Sequence, residues 1–287
     1  MSVANLRTEP KHSAEMATQS LLGSELKILK KNKNWFLVQT PDKYIAWIEA
    51  ESLTRLNSEQ LSEWKKSGRV IFTKQYGFSY INSKSESQHV SDLIIGDILK
   101  KISTERQYTK VEYPDGRIAF ISNNDIYDYF KWLKNRKLTE NNIIKTAKSF
   151  MGIPYLWGGT SSKALDCSGF TKTVFFLNGV LLPRDASQQV NVGIPVNISN
   201  GFKNLQPGDL LFFGSKGSTQ KSEKVTHVGI YLGNSEFIHE SGRVKINSFD
   251  KTKSNYSAYR LRQLLGAKRI INSVGKNGVV PLASSIY

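Results

Sequence analysis

Tyr155-Leu156-Trp157-Gly158-Gly159, followed closely by Asp166-Cys167-Ser168-Gly169-Phe170, is the stretch on which the reading of this chain turns. Cys167 is the only cysteine among 287 residues. A lone thiol makes no internal disulfide and no multi-cysteine metal site, which leaves packing or reactivity. Phe170, Val174 and Leu177 follow it at steps of three, four and three, so all four share one face of a predicted helix. Cys167 lies in the first turn, where unpaired N–H groups and the helix dipole are expected to lower the thiol pKa. The same spacing suits a buried, inert cysteine. The glycine run lacks the Gly-x4-Gly-Lys of a phosphate loop and is read as close backbone approach beside a cleft, with Tyr155 as a wall.

Two of the four histidines tilt the balance toward reactivity. In Thr226-His227-Val228-Gly229-Ile230-Tyr231-Leu232 the apolar residues Val228, Ile230 and Leu232 alternate, so His227 points to the other face of a strand. Gly233-Asn234 signals a turn, and Phe237-Ile238-His239 returns. A symmetric hairpin about residue 233 sets His227 and His239 directly opposite, with Cβ atoms ~5 Å apart. A one-residue slip would put them on opposite faces. Nucleophile, base and orienter are then Cys167, His227 and His239. A His/His/Cys metal site lacks a fourth ligand at diagnostic spacing, and the chemistry requires no metal or cofactor. His12 and His89 read as surface residues.

Outward from the cysteine the periodicity divides the chain. Residues 1–56 carry short strands at roughly ten-residue spacing, among them Leu26-Lys27-Ile28-Leu29, Trp35-Phe36-Leu37-Val38 and Tyr44-Ile45-Ala46-Trp47-Ile48, which predicts a small β-barrel. Residues 57–68 are a polar helix or linker. Residues 69–130 repeat the grammar, with Arg69-Val70-Ile71-Phe72, Gly96-Asp97-Ile98-Leu99, Tyr108-Thr109-Lys110-Val111 and Ile118-Ala119-Phe120-Ile121, which reads as a diverged second barrel. From 139 to 271 helical spacing (Ile143, Ala147, Phe150, Met151) gives way to strands, an α+β order. Residues 272–287 form a pattern-poor tail, expected to dock loosely.

Lys and Arg exceed Asp and Glu by 40 to 24, a net charge of +16 that favours acidic partners without choosing among them. No apolar run approaches the ~20 residues that span a bilayer, and the start of the chain has no charged n-region or apolar h-region of a signal peptide.

Tyr155–Gly159, Asp166–Phe170, Leu182-Pro183-Arg184-Asp185, Pro207-Gly208-Asp209-Leu210-Leu211-Phe212-Phe213 and Thr226–Tyr231 resemble, in order, the successive blocks of NlpC-type papain-like cysteine peptidases. Asn5-Leu6-Arg7, Glu15, Gln19, Leu22-Gly23 and Tyr44–Ile48 resemble the bacterial SH3-like domain joined to one branch, the γ-D-glutamyl-L-diamino acid endopeptidases. The resemblance implies two SH3-like β-barrels before a papain-like α+β domain, and hydrolysis of murein peptides with a free N-terminal L-Ala. Carried over, Cys167 attacks, His227 is the base and His239 fills the third position. A carboxylate beside the nucleophile opposes thiolate formation. Two readings of Asp166 therefore stand: a helix cap, or a reader of the substrate's α-ammonium assisted by Ser168, Tyr155, Glu15 and Tyr44. Ala186 stands where some relatives carry a serine after the Arg-Asp pair. The partner implied is a murein peptide, not nucleic acid. The place of action is the periplasm or the cell exterior with an export signal absent from this chain, the cytoplasm staying open. The rival readings are a cell-wall-binding module with an inactive catalytic domain, and an acyltransferase.

Overall fold

A computed structural model describes residues 1–84, 87–218 and 222–284. Its described residues divide into two units, Met1–Asn135 with Ser161–Lys163, and Arg136–Thr160 with residues 164–284.

The first unit opens with β1 (Val3–Arg7), β2 (Met16–Leu21), β3 (Lys27–Asn32), β4 (Trp35–Gln39) and β5 (Ile45–Glu49), paired in the order β2-β1-β5-β4-β3. Alternation sends Phe36, Val38, Ala46 and Ile48 inward to meet Leu6. Helix α1 (Ser58–Lys66) follows, started by reciprocal 2.9 Å bonds between Asn57 and Gln60. A second sheet holds β6 (Arg69–Phe72), β7 (Tyr76–Tyr80), β8 (His89–Ile94), β9 (Ile98–Glu105), β10 (Tyr108–Glu112), β11 (Ile118–Ser122) and β12 (Ile126–Asp128), in the order β12-β6-β9-β10-β11-β7-β8. Phe72, Leu93, Leu99, Val111 and Ile121 fill its core, and α2 (Tyr129–Lys134) closes it. The repeat is less regular than the sequence suggests. Strands β1, β2, β7, β8 and the short β12 have no clear strand signal in the sequence, because residues such as Asn5, Arg7, Thr18, Gln19, Gly77, Ser79, Ser91 and Asp92 dilute their apolar alternation.

The second unit is α+β. Its elements are α3 (Glu140–Ser149), β13 (Thr160–Ser161), β14 (Ala164–Leu165), α4 (Cys167–Leu177), β15 (Val180–Leu181), α5 (Ala186–Gln189), β16 (Ile194–Val196), β17 (Leu210–Ser215), β18 (Lys224–Gly233), β19 (Glu236–Glu240), β20 (Val244–Ser248), α6 (Ala258–Gln263), β21 (Leu264–Arg269) and β22 (Val280–Pro281). Strands β16 to β21 form one antiparallel sheet, in the order β16-β21-β17-β18-β19-β20.

Helix α4 is the axis of this unit. A single apolar face was expected, but all residues from Cys167 to Leu177 are buried, polar Thr171 and Thr173 included. Fully buried Phe170, Val174 and Phe175 each contribute ~1.5–3 kcal/mol of transfer free energy. The C-terminal segment also departs from expectation. Strand β22 pairs with β15 through Val180↔Pro281 and Leu181↔Val280, and Val279 and Leu282 are buried. Burial of those side chains docks the tail, which hydrophobic periodicity over so short a stretch could not reveal.

Candidate active site

Asp166 starts α4. Its Oδ1 accepts the Gly169 N–H at 2.7 Å, the N-terminal capping bond of the helix. Oδ2 accepts the Gly158 N–H at 3.0 Å, tying the glycine run to the same carboxylate. Ser168 Oγ donates to Oδ1 at 3.2 Å, and the Arg184 guanidinium spans both oxygens at 3.2 and 2.5 Å. Arg184 also donates to Ser168 Oγ at 3.0 Å. The carboxylate thus accepts five hydrogen bonds while almost wholly buried. A fork-to-fork Arg–carboxylate pair is the arrangement that tolerates such burial. The Leu182–Asp185 motif that contains Arg184 does not by itself show what the guanidinium does. Its signal lay in a charged residue flanked by the apolar run Val180–Pro183.

The glycines are where close backbone approach requires them. A Cβ on Gly169 would lie 1.9 Å from the Gly159 carbonyl oxygen, and one on Gly159 would lie 2.6 Å from that of Ala164. Helix α4 therefore seats directly on the Trp157-Gly158-Gly159 turn, as expected. Trp157 itself is exposed.

The hairpin of β18 and β19 differs in register from the symmetric one. Ile230 pairs with Ile238 and Tyr231 with Phe237, with an irregularity before Gly233↔Glu236. The ladder is offset by two residues, so His227 and His239 are diagonal neighbours rather than opposed. Gly229 faces His239 instead, and a Cβ there would meet His239 Cβ at 3.0 Å. An even offset keeps both rings on one face. They meet with His227 Nε2 2.7 Å from His239 Nδ1. His239 Nε2 lies 2.9 Å from Asn247 Oδ1, and Asn247 Nδ2 donates to the Asn255 carbonyl at 2.9 Å.

That chain of bonds fixes the tautomers. The Asn255 carbonyl takes the Asn247 amide protons, so Asn247 Oδ1 accepts from His239 Nε2–H. His239 Nδ1 then carries a lone pair and accepts from His227 Nε2–H. His227 Nδ1 is left as the basic nitrogen. Asn247 went unnoticed in the sequence, since nothing in Lys245-Ile246-Asn247 marks it before the register of β19 and β20 is known.

Electrostatics corrects one expectation. Burial pushes the Cys167 thiol up to about 11, and the Asp166 charge adds to the rise. Backbone N–H groups of Val228 and Ser168, and then Arg184, pull the other way without reversing it. Desolvation at the helix start outweighs the favourable dipole. Burial also holds His227 well below the usual imidazole value, with Arg260, His239 and Lys245 contributing. Both shifts favour the uncharged forms, thiol and imidazole.

Tyr155 is partly exposed, and burial followed by the Cys167 and Asp166 charges raises its hydroxyl to about 12. It stays protonated beside the nucleophile. Ser168 is buried in the Asp166–Arg184 cluster. Glu15 and Tyr44 belong to the first unit, Glu15 exposed just before β2 and Tyr44 packed against the core of the first sheet. His12 and His89 are exposed, His89 stacked on Phe78 at 3.8 Å. Among the described residues no cluster of His, Cys, Asp or Glu is arranged to hold a metal ion.

The NlpC/P60 family profile matches residues 152–266, and that of the bacterial dipeptidyl-peptidase SH3 domain matches residues 6–53. The chain is 31% identical over 233 residues to a γ-D-glutamyl-L-lysine dipeptidyl-peptidase of Bacillus cereus, covering 78% of this chain and 67% of that one. It is 27% identical to dipeptidyl-peptidase 6 of Lysinibacillus sphaericus, covering 88% of this chain and 92% of the relative. A crystal structure of an NlpC/P60 family protein from Bacillus cereus superposes with a TM-score of 0.77 at 25% identity, covering 93% of this chain and 97% of the other.

Proposed function

Because the chain belongs to the NlpC/P60 family of cysteine peptidases, we propose that it hydrolyses the γ-D-glutamyl-L-diamino acid bond of murein peptides that carry a free N-terminal L-Ala. The observation that carries this reading is the tautomer-fixed line from Asn247 through His239 to His227, which leaves His227 Nδ1 as the basic nitrogen. The names of the relatives supply the bond.

The thiol passes its proton to His227 Nδ1 as the sulfur attacks the γ-carbonyl carbon, so charge separates only when substrate is present. The Cys167 N–H at the start of α4 holds the developing oxyanion. The C–N bond breaks, the leaving amine takes the proton from His227, and the thioester remains on Cys167. Water, deprotonated by the same nitrogen, then releases the γ-D-glutamyl product. His239 and Asn247 keep the ring oriented through both halves.

Asp166, Ser168 and Tyr155 make up the amine-reading side. The oxygens of Asp166 already accept five hydrogen bonds, so its part is to supply negative potential rather than a new contact. Glu15 and Tyr44 carry the same assignment by resemblance. A murein substrate implies action in the periplasm or outside the cell.

Incubation with L-Ala-γ-D-Glu-L-Lys and with its N-acetylated form tests the reading. The free-amine peptide should be cleaved at least about tenfold faster, the size of one charge-assisted contact. Glu15→Gln should narrow that preference, and Cys167→Ala should end turnover with the fold retained. Equal rates on both peptides would sink amine recognition. Turnover by Cys167→Ala would sink the mechanism.

A further inference from the structure

The surroundings of Cys167 are polarised. Asp166, Tyr155 and the buried Glu240 lie within electrostatic reach of one another, and Glu240 alternates away from His239 along β19. His227 and His239 share the face of the hairpin that Glu240 points away from, and with them lies a cation, Arg260 of α6. Its guanidinium sits over the Phe213 ring at 5.8 Å, and the Phe213 and His227 rings are 5.7 Å apart. Two neutral partners hold it: Ser241 Oγ at 3.3 Å, two residues from His239, and Gln263 Oε1 at 3.2 Å. Among the described residues no carboxylate pairs with Arg260. The half-buried guanidinium therefore keeps its full charge beside the two imidazoles. Lys245, directly across the ladder from His239, adds a second positive charge.

Both cations oppose protonation of His227, a charge that the acyl-transfer step must create. Beyond the charge formed on the sulfur, an anion brought by the substrate beside Arg260 offsets that cost. The departing amine takes its proton from His227, so the leaving residue lies on the His227 side. Its α-carboxylate is two bonds from the departing nitrogen. We propose that Arg260 forms a carboxylate subsite for the leaving diamino acid, so that the enzyme selects peptides in which this residue is C-terminal. The inference rests on the peptide hydrolysis proposed above and adds the opposite end of the substrate to it.

The test compares L-Ala-γ-D-Glu-L-Lys with its C-terminal amide, which removes only that charge. Wild type should favour the acid in kcat/KM by about ten- to a hundredfold, the range of a charge-assisted hydrogen bond. Arg260→Gln should shrink this ratio to within about twofold, and Arg260→Lys should retain part of it. A purely structural role for Arg260 would slow both peptides alike and leave the ratio standing, which overturns the subsite. Equal rates on acid and amide by wild type overturn it too, while leaving the proposed hydrolysis intact. Cleavage of neither peptide by wild type overturns both.

Discussion

Glu240 and the histidine pair titrate in opposite senses. Burial holds His239 down at about 3 and His227 well below its usual value. Once pH falls below ~6.5 the unfolded chain protonates both rings while the fold does not. The unfolded state then binds more protons, so stability falls as pH drops from about 6.5 toward 3. Glu240 is raised to about 7 by burial, against the pull of Lys245 and of the Ser241 N–H. Here the fold binds the extra proton, so the contribution is present below ~4.5 and lost as pH rises through about 7. Glu240→Gln should therefore raise the Tm at pH 8 and leave it little changed at pH 4, read by thermal melts at the two values. An equal change at both would show that Glu240 is not a strained carboxylate. A lone thiol and two histidines at a hairpin could be read from the sequence because few residue types supply a nucleophile and its base. Arg184, Asn247 and Arg260 could not. Each acquires its role from a partner brought near only by folding, and the apolar run Val180–Pro183 before Arg184 does not tell which carboxylate it meets.

At the scale of elements, α4 was legible from its spacing and its Asp cap, whereas its complete burial was not. Hydrophobic periodicity registers one face, and Thr171 and Thr173 look solvent-facing until Gln189 and the Thr160 carbonyl supply their hydrogen bonds. The hairpin parity survived a two-residue offset because strand faces repeat every second residue. The offset itself, with its irregularity near Leu232, has no local signature. Seating α4 on the glycine turn makes a sharp demand. Gly169→Ala would drive a methyl carbon to 1.9 Å from a backbone oxygen that no side-chain rotation can move. Ordinary overpacking costs ~1–3 kcal/mol, and a backbone obstacle belongs at or above the top of that range. Urea unfolding should show a loss of about 3 kcal/mol or more, or no folded protein. A loss under about 1 kcal/mol would mean that the turn yields, and that the helix start is not rigidly placed for the thiol.

For the whole molecule, the charge of +16 is spread over more than the catalytic unit. Strand β3, at one edge of the first sheet, is exposed at every position and carries Lys27, Lys30 and Lys31, with Lys33 in the turn that follows. Lysine on an edge strand discourages edge-to-edge pairing, which accounts for its presence there without any ligand. The net charge has a consequence of its own: a cationic surface gathers polyanions, and it does so less as salt rises. The Debye length shortens from ~10 Å at 0.1 M salt to ~3 Å at 1 M, so exposed lysines lose most of their reach. Retention on murein that still bears anionic phosphate polymers should therefore drop steeply between those concentrations. It should also drop when the polymers are extracted, and more gradually when Lys27, Lys30, Lys31 and Lys33 are changed to Gln. Cleavage of the short free-amine peptide carries no polyanion and should be insensitive to the four lysine changes. Retention indifferent to both salt and extraction would show that charge is not what holds the protein on murein.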